Sequence, residues 1–170
     1  MSRQIEIVEV FEIVTEENFD EEMYLQENHD VRDAVASGEL KSGYQHFKRH
    51  GYKEHRKQQK TNYKEVIVNL RRNKAERIRK ILRPDVAISI DDNFVFDYTD
   101  ADRKSRFGFD ETEKVSSFFY DQMPLDIINT MPDGLILDCG AGFRTVYYDN
   151  VVNYEIVPYT TTDVVGFAAD

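Results

Sequence analysis

The chain has 170 residues, a length that suits one domain of ordinary size or a small domain with part of another. Its formal net charge of −10 argues against general affinity for nucleic acid or for an anionic membrane surface. Cys139 is the single cysteine, so no internal disulfide can form. The first residues lack the pattern of a signal peptide, and no apolar run approaches the roughly 18 residues of a membrane span, so we expect a cytoplasmic protein.

Basic residues are concentrated in one segment. Residues 48–83 contain 14 of the 22 lysines and arginines and only three acidic residues, so this segment carries +11 and the rest of the chain −21. A solvated helix that pairs with acidic surface elsewhere is the favoured interpretation. A helix that binds a polyanion is the alternative that stays open.

The first part of the chain predicts short elements. Ile5–Val14 alternates loosely between acidic and apolar residues, so residues 1–18 are predicted to form an N-terminal tail or short strand. Residues 19–56 have apolar residues at helical spacing and predict a small module of two or three short helices. Gly38 is expected to end one helix, Ser42 to cap the next, and Gly51 to stop it.

The same module resembles a known helical repeat. Residues 19–56 match the pattern F-D-x-x-x-Y-L-x-x-N-x-D-V-x-x-A-V-x-x-G, continued by S-G-x-x-H-F-x-x-x-G-x-x-E-x-R. Such repeats look like accessory modules appended to glycosyltransferases, methyltransferases and some secreted repeat proteins. The resemblance implies a docking role, so we expect a protein partner, or the chain's own second half, to bind through residues 19–82.

Residues 57–83 predict a basic amphipathic helix or linker. Its helix is expected to begin at the cap Asn62 and to reach about Leu82, where Pro84 ends it. Lys74 interrupts the apolar stripe of this helix. Residues 84–133 predict a loop-rich cap region with an extended segment near Phe94–Tyr98, an aromatic run at Ser116–Tyr120 and a short helix over Leu125–Ile128.

The last segment, residues 134–170, predicts a run of buried strands. Gly134–Asp138, Val151–Val157 and a segment starting at Val164 are apolar and separated by a glycine turn and short connectors. This order is typical of the start of a doubly wound sheet. We therefore predict the α/β class, with a helical N-terminal half followed by the first strands of such a sheet.

Four residues around the glycine turn form a candidate cofactor site: Asp138, Gly140, Gly142 and Glu155. Asp138 ends its strand at the carboxyl edge of the sheet, where such folds bind ligands. Gly140 permits a positive φ, and Gly142 lets a ligand lie against the backbone. The Glu155 carboxylate at the second strand can accept two hydrogen bonds from the adjacent hydroxyls of a ribose.

Two cofactors share this logic. An NAD site requires G-x-G-x-x-G, but Thr145 stands at the third glycine position. A negative charge at Asp138 would oppose a pyrophosphate and favour the ammonium end and sulfonium of S-adenosylmethionine. Electrostatics therefore favours S-adenosylmethionine. The alternatives that remain open are a plain glycine turn with Asp138 capping a helix, and Glu155 as a strand-edge acid that faces water.

The segment LILDCGAGFRTVYYDNVVNYEIVPYTTTDVVG resembles the opening of a class I methyltransferase of the type 11 group. A closer subset has L-D-C-G-A-G-x-R-P-V-Y-Y-x-N-V-V-N-x-E-I followed by T-T-D-V, and the similarity extends over about Ile81–Asp170. The resemblance implies a Rossmann-like sheet and an S-adenosylmethionine loop that contains Asp138, Gly140 and Gly142. It also implies that Glu155 binds the ribose and that Asp170 lies near the adenine. Arg144 departs from the general pattern, but the closer subset also has Arg there.

Two functions follow from these resemblances. In the first, residues 134–170 begin a class I methyltransferase domain that transfers a methyl group to a small-molecule, glycan-linked or lipid-linked acceptor. The family's fold continues with further strands, so we expect weak cofactor affinity and no turnover from this chain alone, and its catalytic residues are not assigned. The alternative is a non-enzymatic docking module with a vestigial α/β segment. A third hypothesis, part of an NAD-linked oxidoreductase, is opposed by Asp138 and Thr145.

Other chemistry-bearing residues predict no separate site. His46 and His50 have the i, i+4 spacing of zinc ligands, with His55 just beyond, but no nearby acid or cysteine completes a site, so no metal is expected. Cys139 is expected to be a small buried strand residue rather than a nucleophile.

Overall fold

The computed structural model describes residues 3–83, 88–100, 102 and 119–167. The chain forms two compact units, one made of Met1–Val8 with Lys64–Asp170 and the other of Glu9–Tyr63. Much of the predicted cap region, including Ser116–Phe118 of the aromatic run, lies outside the described residues. So does Asp170, the residue that the resemblance placed near the adenine.

The unit Glu9–Tyr63 contains short helices held by a two-stranded ladder. Strand β2 (Phe11–Ile13) pairs antiparallel with β3 (Lys57–Gln59). The predicted cap is confirmed at Ser42, whose side chain accepts a hydrogen bond from the Gln45 amide at 3.1 Å. Gly38 has a φ of +80° just beyond the second helix, which suits a helix C-terminus. The elements are β2 (Phe11–Ile13), α1 (Glu21–Glu27), α2 (His29–Ala36), α3 (Gly43–His46), a π-helical turn (Phe47–Gly51) and β3 (Lys57–Gln59).

This unit has its own apolar core of Val14, Tyr24, Val31 and Phe47. The Tyr24 hydroxyl lies 3.0 Å from His46 Nδ1 inside it. Burial raises the pKa of Tyr24 to about 12, so the phenol stays protonated at neutral pH. A tyrosine packed in this way fixes the helices of the unit relative to one another.

Ion pairs on the surface of this unit involve part of the basic segment. Lys48 pairs with Glu16, Lys60 lies 3.0 Å from Glu9, and Arg56 lies 2.8 Å from Asp30. These partners are substantially exposed, so each pair contributes little stability. These three basic side chains pair with acidic surface, but they precede the long helix of the segment and so do not test the predicted solvated helix.

The other unit is built on a mixed five-stranded sheet. Its strands lie in the order β4 (Ser89–Ile90), β5 (Phe96–Asp97), β9 (Val164–Val165), β8 (Val151–Glu155) and β6 (Ile136–Cys139). Strands β6, β8, β9 and β5 run parallel to one another, and β4 pairs antiparallel with β5. The predicted α/β class is therefore confirmed. The elements are β1 (Ile7–Glu9), α4 (Tyr63–Arg79), β4 (Ser89–Ile90), β5 (Phe96–Asp97), α5 (Gln122–Thr130), β6 (Ile136–Cys139), β7 (Val146–Tyr148), β8 (Val151–Glu155) and β9 (Val164–Val165).

Helices α4 and α5 cover opposite faces of this sheet. Ala75 and Ile78 of α4 pack with Val152, whereas Ile128 of α5 packs with Val151. Successive residues of a strand point to opposite faces, so the sheet lies between the two helices. The N-terminal residues predicted as a tail or strand form β1, which lies beside β7, and β2.

Two sequence expectations are wrong. Lys74, expected to break the apolar stripe of a solvated helix, is 1% exposed, and its neighbour Arg71 is 2% exposed. Both side chains bind a buried carboxylate, which is why charged residues can stand on the inner face of α4. Cys139 is exposed rather than buried, because β6 is an edge strand and Leu137, which shares the face of Cys139, is itself 59% exposed.

Within the part of the chain that the structure describes, no helix combines the length and the apolar character needed to cross a membrane.

Candidate functional site

The candidate site lies where β6 ends. In the parallel pairing of β6 with β8, Asp138 stands opposite Asn153 and Cys139 opposite Tyr154. The amides of Gly140 and Ala141 both donate to the Tyr154 carbonyl, at 2.9 and 3.2 Å, so the chain turns sharply over the end of β8. This turn starts what we call the glycine loop, residues 138–144.

The two glycines of the loop have the backbone conformation that the sequence predicted for the first of them. Gly140 has a φ of +73° and Gly142 a φ of +60°, both in the left-handed region that L side chains rarely adopt. Apart from Gly140 and its two chain neighbours, no atom of the described residues lies within 4 Å of where a Cβ on Gly140 would stand. Gly140 is therefore required by its backbone conformation and not by close packing against the described residues.

Glu155, at the end of β8, binds the backbone of the glycine loop. Its Oε2 accepts a hydrogen bond from the Gly142 amide at 2.7 Å, and its Oε1 accepts one from the Ile156 amide at 2.7 Å. A carboxylate offers about four lone-pair positions, so each oxygen can accept one further hydrogen bond. The half-buried Glu155 is thus a loop-binding residue and not an acid that merely faces water.

Asp138 forms an ion pair across the loop. Arg144 places its Nε 2.9 Å and one terminal nitrogen 2.7 Å from Asp138 Oδ2. The Tyr120 hydroxyl donates to the same oxygen at 2.6 Å, and the guanidinium carbon lies 4.4 Å from the centre of the Tyr120 ring. Burial, together with the bond to Asp138, raises the pKa of Tyr120 well above its usual value, so this hydroxyl remains a donor. Asp138 is bound by side chains here and is not a helix cap.

The loop is also tied to the connection between β8 and β9. The Arg144 amide donates to Thr161 Oγ1 at 3.2 Å. The rings of Phe143 and Tyr159 contact each other with their centres 6.0 Å apart. Among the described residues, the glycine loop therefore contacts the end of β8, the residues before β9 and Tyr120, which precedes α5.

A buried polar cluster supports that connection from the α4 side. Asp163, fully buried, accepts hydrogen bonds at Oδ2 from Lys74 Nζ and the Asn153 amide, both at 2.9 Å. Its Oδ1 accepts from the Tyr147 hydroxyl and, at 3.4 Å, from Arg71 Nε. We call these five residues the Asp163 cluster. Four donors converge on one carboxylate, so the start of β9 is fixed against α4.

Burial dominates the titration of this cluster. It lowers the pKa of Lys74 to about 8, although the adjacent Asp163 carboxylate opposes that shift. It raises the pKa of Tyr147 well above its ordinary value, and Asp163 acts in the same direction. Every member is at most 2% exposed, so the cluster is a structural support and not a surface for a ligand.

The structure brings the four predicted site residues to one place. Asp138, Gly140 and Gly142 lie in the glycine loop, and Glu155 binds that loop directly. Sequence reasoning missed Tyr120 and Thr161 as partners, since both lie far from the motif along the chain. It noted Arg144 only as a departure from a pattern. The sequence did contain a signal for this ion pair: the basic residue Arg144 follows Asp138 by six positions, across a glycine turn that can bring the two side chains together.

The paired histidines of the helical unit are used in its packing. The His46 and His50 rings lie 5.6 Å apart, and His46 Nδ1 contacts the Tyr24 hydroxyl. Burial lowers the pKa of His46, so the neutral ring is favoured at neutral pH. Among the described residues, no group of three or more His, Cys, Asp or Glu side chains could hold a metal ion.

Comparison of the chain with protein-family models, with curated proteins and with solved structures finds no match. The function is therefore argued from the geometry and charge of the glycine loop. Its chemistry is that of two carboxylates, Asp138 and Glu155, at the ends of adjacent parallel strands, with a turn that contains two positive-φ glycines between them.

Proposed function

We propose that this chain carries the cofactor-binding part of a class I S-adenosylmethionine-dependent methyltransferase. The observation that carries the proposal is the placement of Asp138 and Glu155 at the carboxyl ends of adjacent parallel strands, joined through a loop with two positive-φ glycines. Ligands of open α/β sheets bind at this edge. Asp138 would face the ammonium end of the cofactor, and Glu155 would accept hydrogen bonds from its ribose.

The strand order supports a Rossmann-like assignment. The successive strands β6, β8 and β9 are parallel and lie in the spatial order β9-β8-β6. This is the third-second-first order of one half of a doubly wound sheet. In such a sheet the loop after the first strand and the acid at the end of the second meet at the cofactor, and the glycine loop and Glu155 occupy those two positions.

Charge supports S-adenosylmethionine rather than NAD. Asp138, although paired with Arg144, places a carboxylate beside the loop, and a carboxylate there stabilises the sulfonium and the ammonium but opposes a pyrophosphate. Glu155 would serve the ribose of either cofactor. The bound cofactor would supply an activated methyl group for an acceptor oxygen, nitrogen or carbon. The chain's own contribution would be to hold the two ends of the cofactor, because catalysis of such a transfer is largely in-line positioning. A small-molecule, glycan-linked or lipid-linked acceptor remains part of the proposal.

Replacing Glu155 by alanine is expected to weaken binding of S-adenosylhomocysteine about 10- to 100-fold, the factor expected for losing hydrogen bonds to a charged acceptor. The substitution removes the ribose acceptor and also releases the Gly142 amide. Titration followed by ¹H–¹⁵N spectra gives the affinity, and the Gly140 and Gly142 amide signals should shift as ligand binds. Glu76→Ala on the exposed side of α4 is the matched control and should bind like the wild type.

Two outcomes would contradict this assignment in different ways. Equal affinity of the Glu155→Ala variant and the wild type would remove the ribose role of Glu155 while leaving the cofactor in place. Wild-type spectra that do not change at millimolar S-adenosylhomocysteine would refute the cofactor assignment itself. A shift with NAD but not with S-adenosylhomocysteine would favour the oxidoreductase alternative.

A non-enzymatic docking module is the second candidate function. The unit Glu9–Tyr63 has its own core and exposes the rings of Tyr44 (46%) and Tyr52 (60%), which rest against core phenylalanines. Exposed tyrosines of this kind are enriched at protein interfaces. If docking is the function, a Tyr44→Ala, Tyr52→Ala double variant of the full chain should lose partner capture in a pull-down, whereas Glu155→Ala should retain it. The reverse pattern would contradict this candidate.

A further inference from the structure

One exposed face of the unit Glu9–Tyr63 combines aromatic and basic side chains. Tyr44 lies in α3 and Tyr52 follows the π-helical turn, and the centres of their rings lie 6.2 and 6.1 Å from the centre of the Phe47 ring. Because Phe47 is fully buried in the core of the unit, it supports both tyrosine rings in defined positions. With three exposed basic residues they form what we call the tyrosine–basic face, which consists of Tyr44, Lys48, Arg49, Tyr52 and Lys53.

The charge of this face differs from that of the unit that carries it. Residues 48–57 contain five lysines and arginines and one glutamate. The remainder of the unit, residues 9–47 and 58–63, contains eleven acidic residues and three lysines and arginines. The basic part of the face is therefore a narrow strip on an otherwise acidic unit.

Two basic side chains of the face are free to bind a ligand. Among the described residues, the structure shows no hydrogen bond or ion pair for the exposed side chains of Arg49 and Lys53. Lys48, in contrast, pairs with Glu16. A guanidinium binds a carboxylate through two parallel hydrogen bonds, and an ammonium supplies three donors. Both free side chains therefore suit carboxylates from outside the chain.

A short acidic segment fits this face better than a nucleic acid or a membrane does. Nucleic acids and anionic membranes present extended arrays of negative charge, so the acidic remainder of the unit and the net charge of −10 would repel them. An acidic segment of a protein requires only the strip itself. The exposed tyrosine rings add an aromatic contact surface, so this segment should also carry an apolar side chain among its acids.

We propose that the tyrosine–basic face binds an acidic segment of a partner protein, with its basic side chains on the carboxylates and its tyrosine rings on an apolar side chain. The inference rests on docking, the second candidate function, and assigns the chemistry of the partner. It is independent of the glycine loop, because the face and the loop belong to different units.

Fluorescence anisotropy of labelled peptides tests the proposal on the full chain. The probe is a decapeptide of glutamates with two central leucines. One matched peptide replaces its glutamates by glutamines, and another replaces its leucines by alanines. At low salt the wild-type chain should bind the probe at least about tenfold more tightly than the glutamine peptide. This preference should shrink as salt is added, because salt screens exposed charges.

An Arg49→Ala, Lys53→Ala double variant tests the basic side chains of the face. It should bind the probe about tenfold more weakly than the wild type, the loss expected for two exposed charge pairs. The control is Arg32→Ala, Arg79→Ala, which removes the same charge from exposed ion pairs outside the face and should change the affinity less than about twofold. An equal loss in both double variants would mean that net charge governs binding, and would contradict the proposal.

The tyrosines are tested against the leucines of the probe. The wild-type chain should bind the leucine probe more tightly than the alanine peptide, whereas Tyr44→Ala, Tyr52→Ala should bind the two alike, because the contacting rings are removed. A variant that still prefers leucine would contradict the role of the tyrosines. Thermal unfolding reports the folding of each variant. If the tyrosine variant does not fold, the Arg49→Ala, Lys53→Ala variant carries the test, since its side chains are exposed.

Further outcomes separate this inference from docking itself. If the wild-type chain does not distinguish the probe from the glutamine peptide, but Tyr44→Ala, Tyr52→Ala loses partner capture in the pull-down, docking stands and the acidic partner is wrong. If the pull-down is also unaffected, docking fails and the inference fails with it. Tighter binding of a deoxythymidine oligonucleotide or of phosphatidylserine vesicles than of the probe would contradict this class of partner. Self-association in sedimentation that Arg49→Ala, Lys53→Ala abolishes would place a second copy on the face instead.

Discussion

Replacing Asp163 by asparagine is expected to lower the free energy of unfolding by about 3–5 kcal/mol, the range for removing one partner of a buried ion pair. The carboxylate accepts from four donors: Arg71, Lys74, Tyr147 and the Asn153 amide. An asparagine offers one oxygen and turns two further N–H donors toward this set. Two cationic side chains then remain buried without the carboxylate that binds both of them.

The loss is expected to depend on pH because Lys74 can neutralise and Arg71 cannot. In the wild type the pKa of Lys74 is about 8 in the folded state against an ordinary value of 10.5. The substitution removes the charge that supported it, so the folded pKa falls further. Between the folded and unfolded pKa values the unfolded state binds more protons, so stability rises with pH. Because the folded pKa of Lys74 is lower in the variant, the stability of the variant begins to rise with pH at a lower pH than that of the wild type. The loss of unfolding free energy caused by the substitution should therefore be smaller at pH 9 than at pH 6.

Urea denaturation at both pH values measures this prediction. Glu76→Gln makes the same carboxylate-to-amide change in an exposed pair with Arg79 on α4, and should cost less than about 0.5 kcal/mol. A variant Asp163→Asn as stable as Glu76→Gln would show that the carboxylate does not anchor the cluster.

Local patterns were sufficient to predict much of the secondary structure. The apolar runs at β6, β8 and β9, the cap at Ser42 and the positive φ at Gly140 were all readable, because each depends on a few neighbouring residues. The prediction for Lys74 was wrong because the burial of this residue depends on a partner that is distant along the chain. Its compensating partner Asp163 lies 89 residues away, and a lysine in a helix gives no local sign of a distant carboxylate.

The candidate site also contains some features that neighbouring residues determine and others that distant partners determine. Asp138, Gly140, Gly142 and Glu155 could be named from spacing, because adjacent parallel strands end at one edge of the sheet. The partners Tyr120 and Thr161 could not, since nothing in the motif specifies which loop covers it. Cys139 was misread because burial of a strand residue depends on its place in the sheet, and β6 is an edge strand. Strand order is a property of the whole chain and not of the strand.

Replacing Gly51 by alanine is expected to lower the stability of the unit Glu9–Tyr63 by about 2–3 kcal/mol, the upper part of the range for overpacking. A Cβ at this position would overlap the Tyr24 hydroxyl. Tyr24 is fully buried against Phe19 and Phe47, with ring centres 5.2 and 6.2 Å away, so it cannot move aside. Alanine is a better helix former than glycine by only about 1 kcal/mol, so the steric term decides the sign. Hydrogen exchange of amides within the unit measures its stability separately from the other unit.

Removing the clashing atom provides the control for this prediction. Tyr24→Phe deletes the hydroxyl and its contact with His46, and should cost about 0.5–1.5 kcal/mol on its own. In the double variant, Gly51→Ala no longer meets the oxygen, although the nearest ring carbon remains 3.4 Å from the new methyl group. The double variant should therefore be more stable than the sum of the single losses predicts, by more than about 1 kcal/mol. Strictly additive losses would mean that Gly51 is required for another reason, and that the Tyr24 hydroxyl does not lie against the π-helical turn.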